Sequence, residues 1–247
     1  DATRMGMLLT APAGNDLPFD VELCVQGRNF ANKIWNAFRL VKGWEITDAP
    51  ASEADKISAS WFDARFNQAL TEIEENFKHY RLSDALMATY KLVWDDFCAW
   101  YLELVKPAYG SPIASETLET VKSFFQRILT LVHPFMPFLT EELWHDELFG
   151  AKEEQDCIIV AEFPKVSTFD EQVIKDFAVA QQIISEVRNI RNSKGISPKV
   201  ALPLAINQQS DIDLAQYIAI ITKIANLEAV TFVTEKVAGA TSFLAGK

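Results

Sequence analysis

The 247-residue sequence is poor in the residues that interrupt regular structure: its 9 glycines are roughly half of what average usage supplies. A many-stranded sandwich or barrel needs more turn-formers than that, so the composition leans helical. Cysteine is also sparse. Cys24, Cys98 and Cys157 lie far apart, with no CxxC pair and no nearby His to complete a zinc set, and they read as buried thiols in a reducing cytoplasm, with no metal. No window approaches the roughly 18 uninterrupted apolar residues of a membrane span, and nothing at the start resembles a signal peptide, so no membrane partner is expected. A Gly-rich phosphate loop is missing as well: Ala11-Pro12-Ala13-Gly14 has one Gly and no Lys. There is no internal repeat and no sustained heptad pattern.

What is present is a strong hydrophobic load, 49% of residues with 17 Phe, 6 Trp and 5 Tyr, which excludes disorder. Its length suits one large or two smaller domains. The opening Asp1-Ala2-Thr3-Arg4 without methionine and the close at Leu244-Ala245-Gly246-Lys247 in mid-pattern suggest a piece of a longer protein.

From residue 21 to about 149 the apolar residues recur at three and four, which is a helix period. A first helix spans about 21–43 and ends at Gly43, where positive φ would suit a terminus. A second covers about 52–80 through Phe62, Phe66, Ala69, Leu70, Ile73, Phe77 and Tyr80. A third runs from near Ser83 to Lys106, burying Leu86, Tyr90, Val93, Phe97, Tyr101 and Leu104. Ser115 is expected to cap a fourth, with stripe Leu118, Val121, Phe125, Ile128, Leu129 and Val132. Thr140, followed by Glu141 and Glu142, is expected to cap a short fifth. Short connections make an antiparallel helical bundle the simplest way to bury these stripes. After a linker at 150–168, a helix at about 170–192, an apolar run at 200–206, a helix at about 211–225 and a β-branched alternation at 229–234 predict a small α+β domain at 169–247, with a further strand needed to complete its sheet. The fold class is therefore mainly α, a bundle followed by a small α+β domain.

The net charge of -11 is a misleading average. Residues 21–43 carry +3 and residues 188–199 carry +4, which leaves -18 on the rest. Distant acids are screened beyond a Debye length of about 8–10 Å, so two basic islands can still meet a phosphate backbone. On the first helix, Ala31, Phe30, Ile34, Ala37, Phe38 and Val41 fall on one face. Arg28, Asn29, Asn32, Lys33, Asn36 and Arg39 fall on the other, with Trp35 and Lys42 at its edge. Guanidinium forks, amides able to pair with base edges and an indole for stacking are the groups that single-stranded RNA recognition uses. A plain solvated face is the alternative. Three Asn within eight residues weigh against it, since Asn is a poor helix former. The second island, Val187-Arg188-Asn189-Ile190-Arg191-Asn192-Ser193-Lys194-Gly195, sits at a helix C-terminus, where cations either complement the dipole or contact phosphate.

No catalytic set stands out. His79, His133 and His145 have no nearby nucleophile or ligand set; His133, before Pro134 at a helix end, reads as a structural cap. Adjacent acids such as Glu141 and Glu142 do not face each other on a helix. Asp95 and Asp96, among Trp94, Phe97 and Trp100, read as packing and helix-surface residues.

Three stretches resemble the C-terminal portion of the bacterial-type valyl-tRNA synthetases, class I enzymes: residues 1–20, with Asn15-Asp16-Leu17-Pro18-Phe19-Asp20 as the feature that separates them from the isoleucine and leucine enzymes; Arg28-Asn29-Phe30-Ala31-Asn32-Lys33-Ile34-Trp35-Asn36-Ala37; and His133-Pro134-Phe135-Met136-Pro137-Phe138-Leu139-Thr140-Glu141-Glu142-Leu143-Trp144. The resemblance implies a connector at 1–20 from an absent catalytic domain, an anticodon-binding bundle at 21–149 and a small domain that precedes a tRNA-gripping coiled-coil arm. It implies ATP and Mg2+ for the parent enzyme, which joins valine to its tRNA and edits misacylated threonine, and neither cofactor nor catalysis in this fragment. The expected tRNA contacts are Arg28, Asn29, Asn32, Lys33, Trp35, Asn36, Arg39 and Lys42, with Arg188, Arg191 and Lys194 from the second island. The expected partner is valine tRNA, not DNA, for a cytoplasmic monomer. Competing readings are an isoleucyl- or leucyl-tRNA synthetase, a protein-interaction module using an aromatic face at Trp94, Phe97, Trp100 and Tyr101, and a bundle enzyme, for which no inward Glu-x-x-His pair is found.

Overall fold

The periodic stripes do form helices. A computed structural model describes residues 1–10, 20–153, 155–208 and 213–246. The Ala11-Pro12-Ala13-Gly14 stretch, most of the 15–20 discriminating feature and the expected helix start at 211 lie outside them. The chain divides into two compact units, Asp1–Phe169 and Asp170–Lys247. The stretches expected to be a connector at 1–20 and a linker at 150–168 thus fall within the first unit.

In the first unit, α1 (Ala2–Leu9) packs on α2 (Val21–Lys42) with almost no space between backbones. A Cβ at Gly27 would lie 2.6 Å from the Ala2 carbonyl oxygen, and one at Gly6 would lie 2.9 Å from the Cys24 nitrogen. Glycine is required there because no side chain fits. Asp20 caps α2 by accepting from Glu22 N–H, and Gly43 ends it with φ of -84°, so the positive φ expected at Gly43 is not used. α3 (Glu53–Lys78) starts with a capping box in which Ser52 and Asp55 satisfy each other's backbone N–H groups.

The expected third helix is three pieces. α4 (Leu82–Lys91) runs into a π-helical stretch, Leu92–Tyr101, and ends as α5 (Leu102–Val105). No Pro or Gly marks the wider winding. Two two-residue strands, β1 (Ile46–Thr47) and β2 (Ile113–Ala114), pair in parallel, and β2 leads directly into α6 (Ser115–Val132). Ser115 is therefore the first helical residue and not the cap, which is Ala114, fixed in extended geometry. α7 (Pro137–Trp144) likewise begins before Thr140. Thr140 is fully buried, and its hydroxyl donates to the Met136 carbonyl at 2.8 Å. The orphan N–H groups of α7 are capped from far away: Asp1 accepts from Phe138 at 3.2 Å and from Leu139 at 2.7 Å. Arg4 adds a 2.8 Å bond to the Pro134 carbonyl.

The helices close on an aromatic core. Phe62 stacks on Tyr101 at 4.8 Å and meets Phe124 edge-on at 4.9 Å, and Phe97 meets Phe125 at 5.4 Å. Phe97 and Tyr101 are buried in it, which removes them from the aromatic docking face considered above.

The second unit is α8 (Glu171–Ser193), β3 (Leu202–Ile206), α9 (Ile218–Ala225) and β4 (Leu227–Phe232), with the strands parallel. Asp170 caps α8 through Gln172 N–H. Phe177, Ile184, Tyr217 and Ile221 form its core. Among the described residues no third strand joins the sheet. The late segment instead meets α8 at Gln182, which accepts from Gly246 N–H at 2.9 Å.

Candidate nucleic-acid interface

α2 is amphipathic as the wheel requires. Phe30, Ile34, Ala37, Phe38 and Val41 are buried, while Arg28, Asn29, Asn32, Asn36 and Arg39 are exposed. Among the described residues these five side chains form no hydrogen bond or ion pair. Their donors and amides face water, which is the state in which they can be exchanged for a ligand without breaking an internal contact. Trp35 is 40% exposed, its ring centroid 5.8 Å from that of Phe38, so one part of the indole is anchored and the rest is open for stacking.

Two members of the set are less free. Lys33 is half-buried, with Nζ 5.3 Å above the Trp94 ring. Lys42 binds Asp146 at 2.8 Å and Glu147 at 3.3 Å. The hydrogen bond that Lys42 donates to Asp146 raises its ammonium above the ordinary pKa, and a phosphate at Lys42 would have to compete with two carboxylates.

The second island is rearranged by folding. Arg188 and Lys194 are exposed, and Arg188 Nη2 only grazes the Ile224 carbonyl at 3.5 Å. Arg191 is 4% exposed. Its Nη1 donates to the Ser197 and Val200 carbonyls at 3.2 and 2.7 Å, and its Nη2 donates to Ala225 and Asn226 at 3.0 and 2.7 Å. The assignment of Arg191 to RNA is therefore corrected. Its guanidinium satisfies carbonyls at the loop before β3 and at the end of α9, where Asn226 takes the left-handed conformation at φ of 51°.

Two further groups stand apart from the α2 face. Burial pushes the Asp96 carboxyl up to about 6, with Arg65 opposing the shift. Arg65 Nε lies 3.0 Å from Asp96 Oδ2, but Oδ2 has no well-directed hydrogen bond. Asp96 is thus a half-buried acid of the π-helical stretch packed beside Arg65, in keeping with a packing role. The second is Cys157, read as an isolated buried thiol. It is half-buried, and its Sγ lies with ligand atoms of Glu141 and His145 in a group all within 4.8 Å of one another. The closure brings together residues 12 or more apart in sequence, a proximity that no spacing rule reveals. Cys24 is also only half-buried; Cys98 alone is buried, and burial raises its thiol to about 12.

His133 does end α6, and its Nδ1 lies 2.7 Å from the Thr140 hydroxyl. Burial lowers its pKa. No described helix is long and apolar enough to cross a membrane.

Comparison with known proteins gives the family. Residues 59–206 match the anticodon-binding domain of tRNA ligase. A valine--tRNA ligase from Parabacteroides distasonis is 47% identical over 245 residues, covering 99% of this chain and 28% of the relative. One from Christiangramia forsetii is 44% identical over 244 residues, covering 98% and 28%. One from Fusobacterium nucleatum is 31% identical over 251 residues, covering 95% and 28%. The chain thus spans only about 28% of the length of these relatives, and the family match starts inside α3, beyond α2. Because that match covers more than half of the chain, the chain belongs to the anticodon-binding domain family of tRNA ligases.

Proposed function

We propose that this chain is the tRNA-recognition part of a valine--tRNA ligase, and that the exposed face of α2 receives the anticodon stem-loop. The observation that carries the reading is the row Arg28, Asn29, Asn32, Asn36 and Arg39, exposed and uncommitted beside a half-open Trp35 in a protein that is otherwise acidic. Arg28 and Arg39 supply charge-assisted contacts to phosphate, the Asn amides read base edges, and Trp35 stacks on an unpaired base. Lys33 and Lys42 contribute less, one shielded over Trp94 and the other held by Asp146 and Glu147. Arg188 and Lys194 form a smaller phosphate-contacting patch on the second unit. The identity of the relatives with valine--tRNA ligases supports valine over isoleucine or leucine.

The whole protein would use ATP and Mg2+ to join valine to its tRNA as a cytoplasmic monomer, and this chain alone would not catalyse the step. The test is binding of valine tRNA and of the same tRNA with an altered anticodon. The reading expects altered anticodons to bind about 5- to 150-fold weaker, the effect of one lost base contact of roughly 1–3 kcal/mol. Equal binding of both would refute it.

A further inference from the structure

Glu141, His145 and Cys157 line one open groove of about 730 Å³, with Phe138 and His133 at its walls. Glu141 and His145 stand one turn apart on α7 and its C-cap, so both point to the same side. Their Oε1 and Nε2 atoms are 3.0 Å apart. Cys157 is brought over them by the segment after α7, which is tied down twice: the Trp144 indole donates to the Asp156 carbonyl at 2.9 Å, and Ile158 N–H donates to Glu141 Oε1 at 3.2 Å. The thiol, imidazole and carboxylate ligand atoms all fall within 4.8 Å of one another.

The geometry points to a binding site for one borderline-soft divalent transition metal, of the Zn2+ class, held by Glu141, His145 and Cys157 with a fourth position open to the groove. Tetrahedral zinc with bonds of about 2.0–2.3 Å separates its ligand atoms by roughly 3.3–3.6 Å. The carboxylate–imidazole pair is already close to that, and the thiol needs to move by at most about 1.5 Å. A sulfur and a nitrogen ligand select against Mg2+ and Ca2+, which want an all-oxygen shell. Three protein ligands and one open position leave room for a water. Cys157 must bind as thiolate, so the metal displaces its proton to solvent, and His145 must be neutral; affinity therefore falls as pH drops. When loaded, the ion clamps the segment after α7 onto that helix.

The test uses the full chain, stripped with chelator and titrated with Co2+ as a spectroscopic probe and Zn2+ as competitor. One Co2+ per chain is expected, with thiolate-to-metal charge-transfer absorption that Zn2+ bleaches and an equal concentration of Mg2+ does not. Cys157→Ser should abolish the charge-transfer band, whereas Cys24→Ser should keep it. His145→Gln should weaken binding by more than the roughly 10–100-fold lost with an outer-shell partner. The His145 side chain is 32% exposed, so this variant tests the site even if Cys157→Ser folds poorly. No saturable cobalt absorption, an undiminished band in Cys157→Ser, unaltered affinity in His145→Gln or displacement by Mg2+ would each overturn the assignment.

Discussion

The two basic islands look alike in sequence and behave differently once folded. On α2, cationic and amide groups sit opposite a continuous apolar stripe, so burying Phe30, Ile34 and Phe38 forces Arg28, Asn32 and Arg39 outward. At the end of α8 the buried stripe Phe177, Ala180, Ile184 and Val187 runs on into Arg191 itself, while Arg188 lies outside it. The chain turns back on itself there, carbonyls at Ser197, Val200, Ala225 and Asn226 need donors, and Arg191 supplies them from inside. Arginines opposite a buried stripe stay accessible, and the one within the stripe is claimed by backbone carbonyls.

The sharpest way to break this contrast is to remove one arginine from each island. Arg191→Ala leaves four carbonyls without their donor and should destabilise the second unit by about 3 kcal/mol or more, visible as a lower denaturant midpoint for that unit. Arg191→Lys should rescue it poorly, because one ammonium cannot span two pairs of carbonyls. Arg28→Ala, by contrast, should leave the unfolding free energy within about 0.5 kcal/mol of the parent. If the two variants unfold alike, the distinction between the islands fails.

Asp96 extends the comparison to a half-buried acid. Its folded value of about 6 lies above the ordinary carboxylate range, so folding favours the protonated form. The stabilisation from that proton is complete below about pH 4 and is lost as pH rises through about 6. Asp96→Asn removes this dependence. Relative to Asp96→Asn, the parent chain should therefore lose roughly 3 kcal/mol of stability between pH 4 and pH 7, measured by denaturant titration at each pH. A constant difference across that range would place Asp96 in solvent.

A smaller effect separates members of the α2 face. Lys42→Ala should reduce tRNA affinity by less than Arg39→Ala does, because Asp146 and Glu147 already occupy the Lys42 ammonium. Side-by-side titrations at one salt concentration decide it, and a larger loss for Lys42→Ala would mean that the ion pairs open on binding.

What could be read in advance follows the range of the forces involved. The stripes of α2, α3 and α6 repeat within a turn, so their helices and the buried Phe30, Phe62 and Phe125 were legible from spacing alone. The α2 face was legible for the same reason, since a residue's side of an amphipathic helix is set by its neighbours three and four away. The start of α7 was not, because its cap is Asp1, at the opposite end of the unit's sequence. The π-helical winding of Leu92–Tyr101 was hidden because no Pro or Gly marks it. Arg191 falls on the buried stripe of α8 at helical spacing after Ile184 and Val187, so its inward position was legible, whereas its carbonyl partners and the meeting of Cys157 with Glu141 and His145 depend on chain crossings that composition does not encode.

The central claim is that the α2 arginines contact RNA phosphate, and the salt dependence of tRNA binding tests it most directly. The slope of log affinity against log salt should be steeper for the parent chain than for Arg28→Ala/Arg39→Ala by about 1.4–1.8, the loss expected from two phosphate contacts. An unchanged slope in a double variant that folds normally would contradict it.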